Sequence, residues 1–92
     1  MKLNLKGKRA LVTGASAGIG KGTAEVLAGF GVKCVIAARR MLLLEKVKEE
    51  IVAKGGVAPI PIAVDLFETG ASVKLATQAN ECLGGIDVLV NA

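Results

Sequence analysis

Chemistry is concentrated in the stretch Thr13-Gly14-Ala15-Ser16-Ala17-Gly18-Ile19-Gly20. It follows the apolar run Ala10-Leu11-Val12 and opens a helical pattern. Glycines at such a junction mean a sharp turn and a backbone that something must approach closely, where side chains would intrude. The helix that starts beyond the turn offers unpaired N–H groups and the positive end of its dipole, and both suit a phosphate. A P-loop is the rival arrangement, because Gly20-Lys21-Gly22-Thr23 superficially resembles GK[ST]. It fails, since Gly22 stands where Ser or Thr is needed and Ala15 where the first glycine should be. The plain alternative is a turn that is glycine-rich for structural reasons only.

The elements around the loop decide between these readings. Arg9 to Thr13 reads as a short buried strand, and Gly18 to about Phe30 as a helix. Ile19, Val26, Leu27 and Phe30 are the stripe that helix is expected to bury. Lys33 to Ala37 is apolar and β-branched, a second buried strand. Met41 to Lys54 carries Leu43, Leu44, Val47 and Ile51 at spacings of three and four, and Gly55-Gly56 stops it. Ala58 to Val64 is a third strand, entered through two prolines. Thr69 or Ser72 could cap a third helix running to Leu83, and Ile86 to Val90 is a fourth strand. The order β-α-β-α-β-α-β with short connections argues for a parallel sheet with helices on its faces. In that setting the glycine loop opens the first β-α-β unit, and the tip of the second strand follows about 20–25 residues on, as in dinucleotide sites.

Composition narrows the chemistry further. The 92 residues contain no histidine, tyrosine or tryptophan, so they supply no histidine base, no Cys/His zinc cluster and no tyrosine proton donor. Cys34 and Cys82 lie far apart in apolar settings and read as two buried, reduced thiols. Hydrophobic residues make up 52% of the chain, which fits elements buried on both faces. The net charge of +4 is uneven: residues 1–54 carry eleven Lys/Arg against four Asp/Glu, residues 55–92 one against four. A small anion could use the basic half, although solvated helix faces explain most of these lysines. Nucleic acid is not expected, because two phenylalanines are a poor supply for base stacking. No apolar stretch is long enough to span a membrane. The charged start, Met1 to Arg9, does not read as a secretory signal, so a cytoplasmic location is expected.

Thr13-Gly14-x-x-x-Gly18-Ile19-Gly20 resembles the fingerprint of the classical short-chain dehydrogenases/reductases, spaced Gly-x-x-x-Gly-x-Gly. Asp65-Leu66 after the third strand, Asn91-Ala92 after the fourth, and the opening Leu5-x-Gly7-Lys8-Arg9-Ala10-Leu11-Val12 are similar to further family motifs, in order and at family spacing. The resemblance implies an α/β fold of Rossmann type: a doubly wound parallel sheet, strand order 3-2-1-4, truncated after the fourth strand. Residues 1–92 would then be the N-terminal part of a single NADP(H)-binding domain.

The resemblance also implies roles. Gly14 and Gly18 would permit the turn and the backbone approach, with Ala17 between them in the loop, and Gly20 would let the helix sit close on the sheet. The Ile19 N–H would meet the pyrophosphate, and the Ser16 hydroxyl the adenosine ribose or its phosphate. Asp65 and Leu66 would hold the adenine, though Asp65 could simply cap a loop. Asn91 would tie strands together near the cofactor. Thr13 could do no more than satisfy backbone at its strand end.

The tip of the second strand distinguishes the dinucleotides. NAD enzymes place a carboxylate there for the ribose 2′-OH. Here Ala38 is followed by Arg39 and Arg40, and an arginine fork binds a 2′-phosphate that a carboxylate would repel. The expected cofactor is therefore NADP(H) rather than NAD(H), with Arg39 as the main contact and Arg40 as a second contact or a solvated residue.

The family's catalytic Asn, Ser, Tyr and Lys would all lie beyond these residues. Ser16, Ser72 and Lys74 have nothing nearby to activate them, so none is expected to be catalytic. Three readings follow. The first is part of an NADP(H)-dependent oxidoreductase passing hydride to or from a small carbonyl or alcohol substrate, in a homo-oligomer, dimer or tetramer. The second is a non-catalytic dinucleotide-binding module. The third is a fragment that folds only with a partner. The apolar fourth strand favours the first and third, since an edge strand normally carries charge or proline.

Overall fold

The computed structural model describes residues 4–92. The elements are β1 (Arg9–Thr13), α1 (Gly18–Gly29), β2 (Lys33–Ala38), α2 (Met41–Ala53), β3 (Ile60–Ala63), α3 (Ala71–Leu83) and β4 (Val88–Asn91). The four strands form one sheet in the order β3-β2-β1-β4, and every pairing is parallel. The parallel sheet is the one expected from the alternating pattern, and its doubly wound strand order is the one the resemblance implies.

Strand alternation sorts the core into two layers. Ala10, Val12, Cys34 and Ile36 face α1 and α2, where Ala24, Ala28, Leu44, Val47 and Ile51 meet them. Leu11, Val35 and Ala37 face the other way, onto Leu75 and Ala79 of α3. β1 and β2 are covered on both faces, which is why they read as nearly continuous apolar runs. β3 forms one edge, and an edge tolerates Pro61 because a proline there interrupts few ladder bonds.

α1 departs from the expected stripe. Its buried residues are Gly20, Ala24 and Ala28, whereas Ile19 is 82% exposed and Val26 and Phe30 are also exposed. Of the four residues expected inside, only Leu27 packs against the core. The reason is distance: this helix sits too close to the sheet for large side chains, so the small residues at spacing four line the contact. α2 follows expectation at Leu44, Val47 and Ile51, but Leu43 is exposed. Neither Thr69 nor Ser72 caps α3. The cap position is Gly70 at φ +79°, a left-handed conformation that favours glycine, and no side chain accepts a hydrogen bond there.

The amino edge of the sheet is clamped by Arg9. Its Nε and Nη2 donate to the two Asp87 carboxylate oxygens at 3.1 Å each, and its Nη1 donates to the Gly84 carbonyl at 2.7 Å. The Arg9 N–H also donates to Asp87 Oδ2 at 2.9 Å, and the Asp87 N–H donates to the Arg9 carbonyl at 2.8 Å. The α3–β4 turn is thereby fastened to the start of β1. On the surface, Lys21 pairs with Glu50 and Lys54 with Glu25, each at 2.9 Å, joining α1 to α2. Exposed pairs of this kind add little stability and chiefly hold alignment.

The Arg9 side-chain hydrogen bonds hold the Asp87 carboxyl at about 2, below its ordinary 3.8. A depressed folded-state pKa stabilises the fold at pH values above the unfolded one, and that contribution disappears as the carboxyl protonates. Asp87→Asn should therefore be less stable than the parent near neutral pH. The gap should close as pH falls from about 4 to about 2, which urea midpoints measured across that window would show.

The two thiols differ, which corrects the expectation that both are buried. Cys34 is buried, and that burial pushes its thiol up to about 11. Cys82 is exposed on α3. Iodoacetamide near neutral pH should alkylate Cys82 rapidly and Cys34 only after unfolding, as read by peptide mapping.

Candidate functional site

The chain ends of the strands meet at one edge. The register pairs Thr13 with Ala37, Ala38 with Ala63, and Thr13 with Asn91, so the loops after all four strands leave the sheet side by side. Two backbone hydrogen bonds tie these exits together. The Ala15 N–H donates to the Ala37 carbonyl at 3.2 Å, and the Val64 N–H to the Ala38 carbonyl at 2.8 Å. In an open parallel sheet, the carboxyl edge at the point where strand order reverses is where ligands bind.

The turn from β1 into α1 is built on two backbone approaches. Gly14 lies at φ +61°, and a Cβ there would stand 2.7 Å from the Ala92 carbonyl oxygen. Gly20 lies directly over the turn, where a Cβ would overlap the Gly14 carbonyl oxygen and stand 3.0 Å from that of Thr13. Between them, Ala17 is the extended residue before α1, and no side chain caps the helix. The first turn also carries no acidic residue, so no carboxylate there opposes an anion at the helix start.

A cleft of about 420 Å³ opens beside this turn. Gly14 and Ser16 form one wall, Arg39 and Arg40 the end of β2, and Asp65 and Leu66 the exit of β3. Six of the residues expected from sequence thus share one concavity. Ala17, Gly18, Ile19 and Gly20 do not line it and instead make the turn and the first turn of α1. Asn91 stands apart from it as well, with its Oδ1 accepting from the Thr13 hydroxyl at 2.9 Å across the β1–β4 pairing. Asp65 closes a local turn, its Oδ1 accepting from the Phe67 N–H at 3.0 Å.

The remaining lining residues were not singled out from sequence as site residues. Thr13, Ala37, Ala38 and Ala92 enter because the strand ends do. Leu43 shares the three-and-four apolar spacing of α2, yet it sits beside the buried Leu44 and lines the cleft. Phe67 follows the Asp65-Leu66 pair, and its signal was an aromatic residue placed in a polar loop.

Charge across the site is unequal. Neither Arg39 nor Arg40 makes an ion pair among the described residues, and the end of β2 carries no carboxylate. Arg39 also borders a second, more polar cleft of about 580 Å³, which reaches Lys74 and Gln78 of α3. Two guanidinium groups without an ion-pair partner on the wall of a cleft that opens beside the glycine turn suit a phosphorylated ligand. Among the described residues no group of histidine, cysteine or carboxylate side chains is placed to hold a metal ion, and no helix is long and apolar enough to cross a membrane.

Gly20→Ala should lower stability by about 1–3 kcal/mol, because the added methyl has only backbone to displace. Gly22→Ala, one turn position away with open space around it, should instead raise stability by about 0.5–1 kcal/mol through helix propensity. Paired urea titrations would test the contrast.

Comparison with known proteins agrees with this geometry. The family described as short chain dehydrogenase matches residues 8–92. A short chain dehydrogenase of Pseudocercospora fijiensis is 44% identical over 95% of this chain and 28% of its own length. The NADP-dependent 3-hydroxy acid dehydrogenase of Schizosaccharomyces pombe is 36% identical over 95% of this chain and 34% of its own. Among solved structures, a metagenomic short-chain oxidoreductase in complex with NADP superposes with a TM-score of 0.86 at 40% identity, covering 95% of this chain and 39% of that one. The chain thus spans about a third of the length of the relatives it matches.

Proposed function

Because the chain belongs to the short chain dehydrogenase family, we propose that it is the cofactor-holding part of an NADP(H)-dependent oxidoreductase. The observation that carries the cofactor choice is the tip of β2: Ala38 where a carboxylate would serve NAD(H), then Arg39 and Arg40 on the cleft wall. When bound, NADP(H) supplies hydride exchange with a small carbonyl or alcohol substrate.

The residues present suit that group. The Gly14 and Gly18 turn, both at positive φ, leaves the backbone bare where a pyrophosphate would lie, and the Ile19 N–H, in the first turn of α1, would donate to it. The Ser16 hydroxyl serves the ribose or its phosphate. Arg39, with Arg40 beside it, takes the 2′-phosphate, and a guanidinium does so with two parallel hydrogen bonds. Asp65 and Leu66 receive the adenine edge. Asn91, hydrogen-bonded to Thr13, holds β4 in register where the site continues. No residue here is assigned to proton transfer, since the 92 residues contain neither tyrosine nor histidine. A homo-oligomer, dimer or tetramer, accompanies this reading through the family resemblance, and a cytoplasmic location through the charged start of the chain.

Fluorescence titration with NADPH and NADH tests it. Arg39→Asp should weaken NADPH about tenfold to over a hundredfold, the scale of one charge-assisted contact, and should reverse the preference toward NADH. Unchanged NADPH affinity in that variant would remove Arg39 from the 2′-phosphate site.

A further inference from the structure

Phe67 is 94% exposed, yet it belongs to the lining of the cleft. An aromatic ring left in water without a partner is costly, and a slack loop would let it turn inward. This loop is not slack. The Phe67 N–H donates to Asp65 Oδ1 at 3.0 Å, and the Glu68 N–H donates to the Asp65 carbonyl at 3.1 Å. The turn therefore fixes the backbone from which the ring projects. Leu66 and Leu43, both partly exposed, line the same cleft, and Arg39 supplies its cationic side. An exposed ring, an apolar floor and a guanidinium fit a flat, π-rich group that carries phosphate nearby.

We propose that Phe67 stacks on the adenine of the bound dinucleotide and sets much of the affinity for its adenosine half. Every purine has a π-face, and an aromatic side chain at a cleft rim gains from covering one. The inference deepens the proposed function and rests on the reading of this cleft as the adenosine site. It gives Asp65 a second task. Besides facing the cleft, its carboxylate holds the turn that presents the ring.

Titrations with adenosine 2′,5′-bisphosphate and with nicotinamide mononucleotide, on the protein and on Phe67→Ala, Phe67→Leu and Phe67→Trp, test it. Phe67→Ala should bind the bisphosphate about fivefold to a hundredfold more weakly, with an unchanged urea midpoint, as expected of an exposed position. Phe67→Leu should also bind weakly, because it keeps apolar area and loses the π-face. Phe67→Trp should bind like the parent, and its added emission should be quenched by the bisphosphate and not by the mononucleotide. Parent-like binding by the Ala or Leu variant overturns the assignment. So does a Trp emission indifferent to the bisphosphate, or a loss of subunit association in place of nucleotide affinity. If the unmodified protein binds neither the bisphosphate nor NADPH, the reading of the cleft itself falls. If it binds both and the Ala and Leu variants bind as the parent does, the cleft stands and the stacking role alone is lost.

Discussion

The backbone contact between Gly20 and the Gly14 carbonyl is the constraint on which the rest depends. It brings the first turn of α1 onto the end of β1. Without it the helix would stand off by the width of a side chain, and its free N–H groups would leave the sheet edge. The same closeness explains the small residues Ala24 and Ala28 further along the helix. It also fixes where the next strand begins, since α1 ends at Gly29 and β2 at Lys33 must return beside β1. The loop, the helix seat and the strand register are one geometric decision.

The two edges of the sheet divide the work. At the amino edge, each of the three guanidinium nitrogens of Arg9 donates a hydrogen bond, two to Asp87 and one to the Gly84 carbonyl. At the carboxyl edge the guanidinium groups of Arg39 and Arg40 have no such partners among the described residues. Identical chemistry is thus satisfied at one end and open at the other. An arginine paired with a carboxylate holds structure, and one without such a partner is available to bind.

Much of this was legible in the residues. β1 was bounded by its charged start and by the glycine after it, and the alternation of apolar runs with helical patterns was enough for a parallel sheet. Of the cleft's contributors, Gly14 and Arg39 were legible from the glycine loop and the tip of the second strand, whereas Ser16, Asp65 and Leu66 were named through the family resemblance. Other features were hidden for physical reasons. Apolar size misleads in α1, where close approach rewards small residues over Ile19, Val26 and Phe30. The cap of α3 was sought among hydroxyls, but Gly70 takes a conformation that side chains disfavour. Cys82 has apolar neighbours in sequence and still faces outward, because α3 buries only the stripe at Ala71, Leu75 and Ala79. Phe67 gave no periodic signal at all, since it lies in a turn.

The inverted seating of α1 has a consequence for how the chain finds this fold. Left to local preference, the helix would turn Ile19, Val26 and Phe30 toward whatever apolar surface formed first. Its native face offers instead Gly20 and two alanines, which gain little until backbone meets backbone. The helix is therefore locally frustrated, and its own amphipathicity cannot choose its orientation. The small face is the better one only against the paired β1 and β2, where Ala24 and Ala28 meet Ala10, Val12, Cys34 and Ile36. The orientation of α1 is thus a property of the sheet and the glycine turn together, and not of the helix alone.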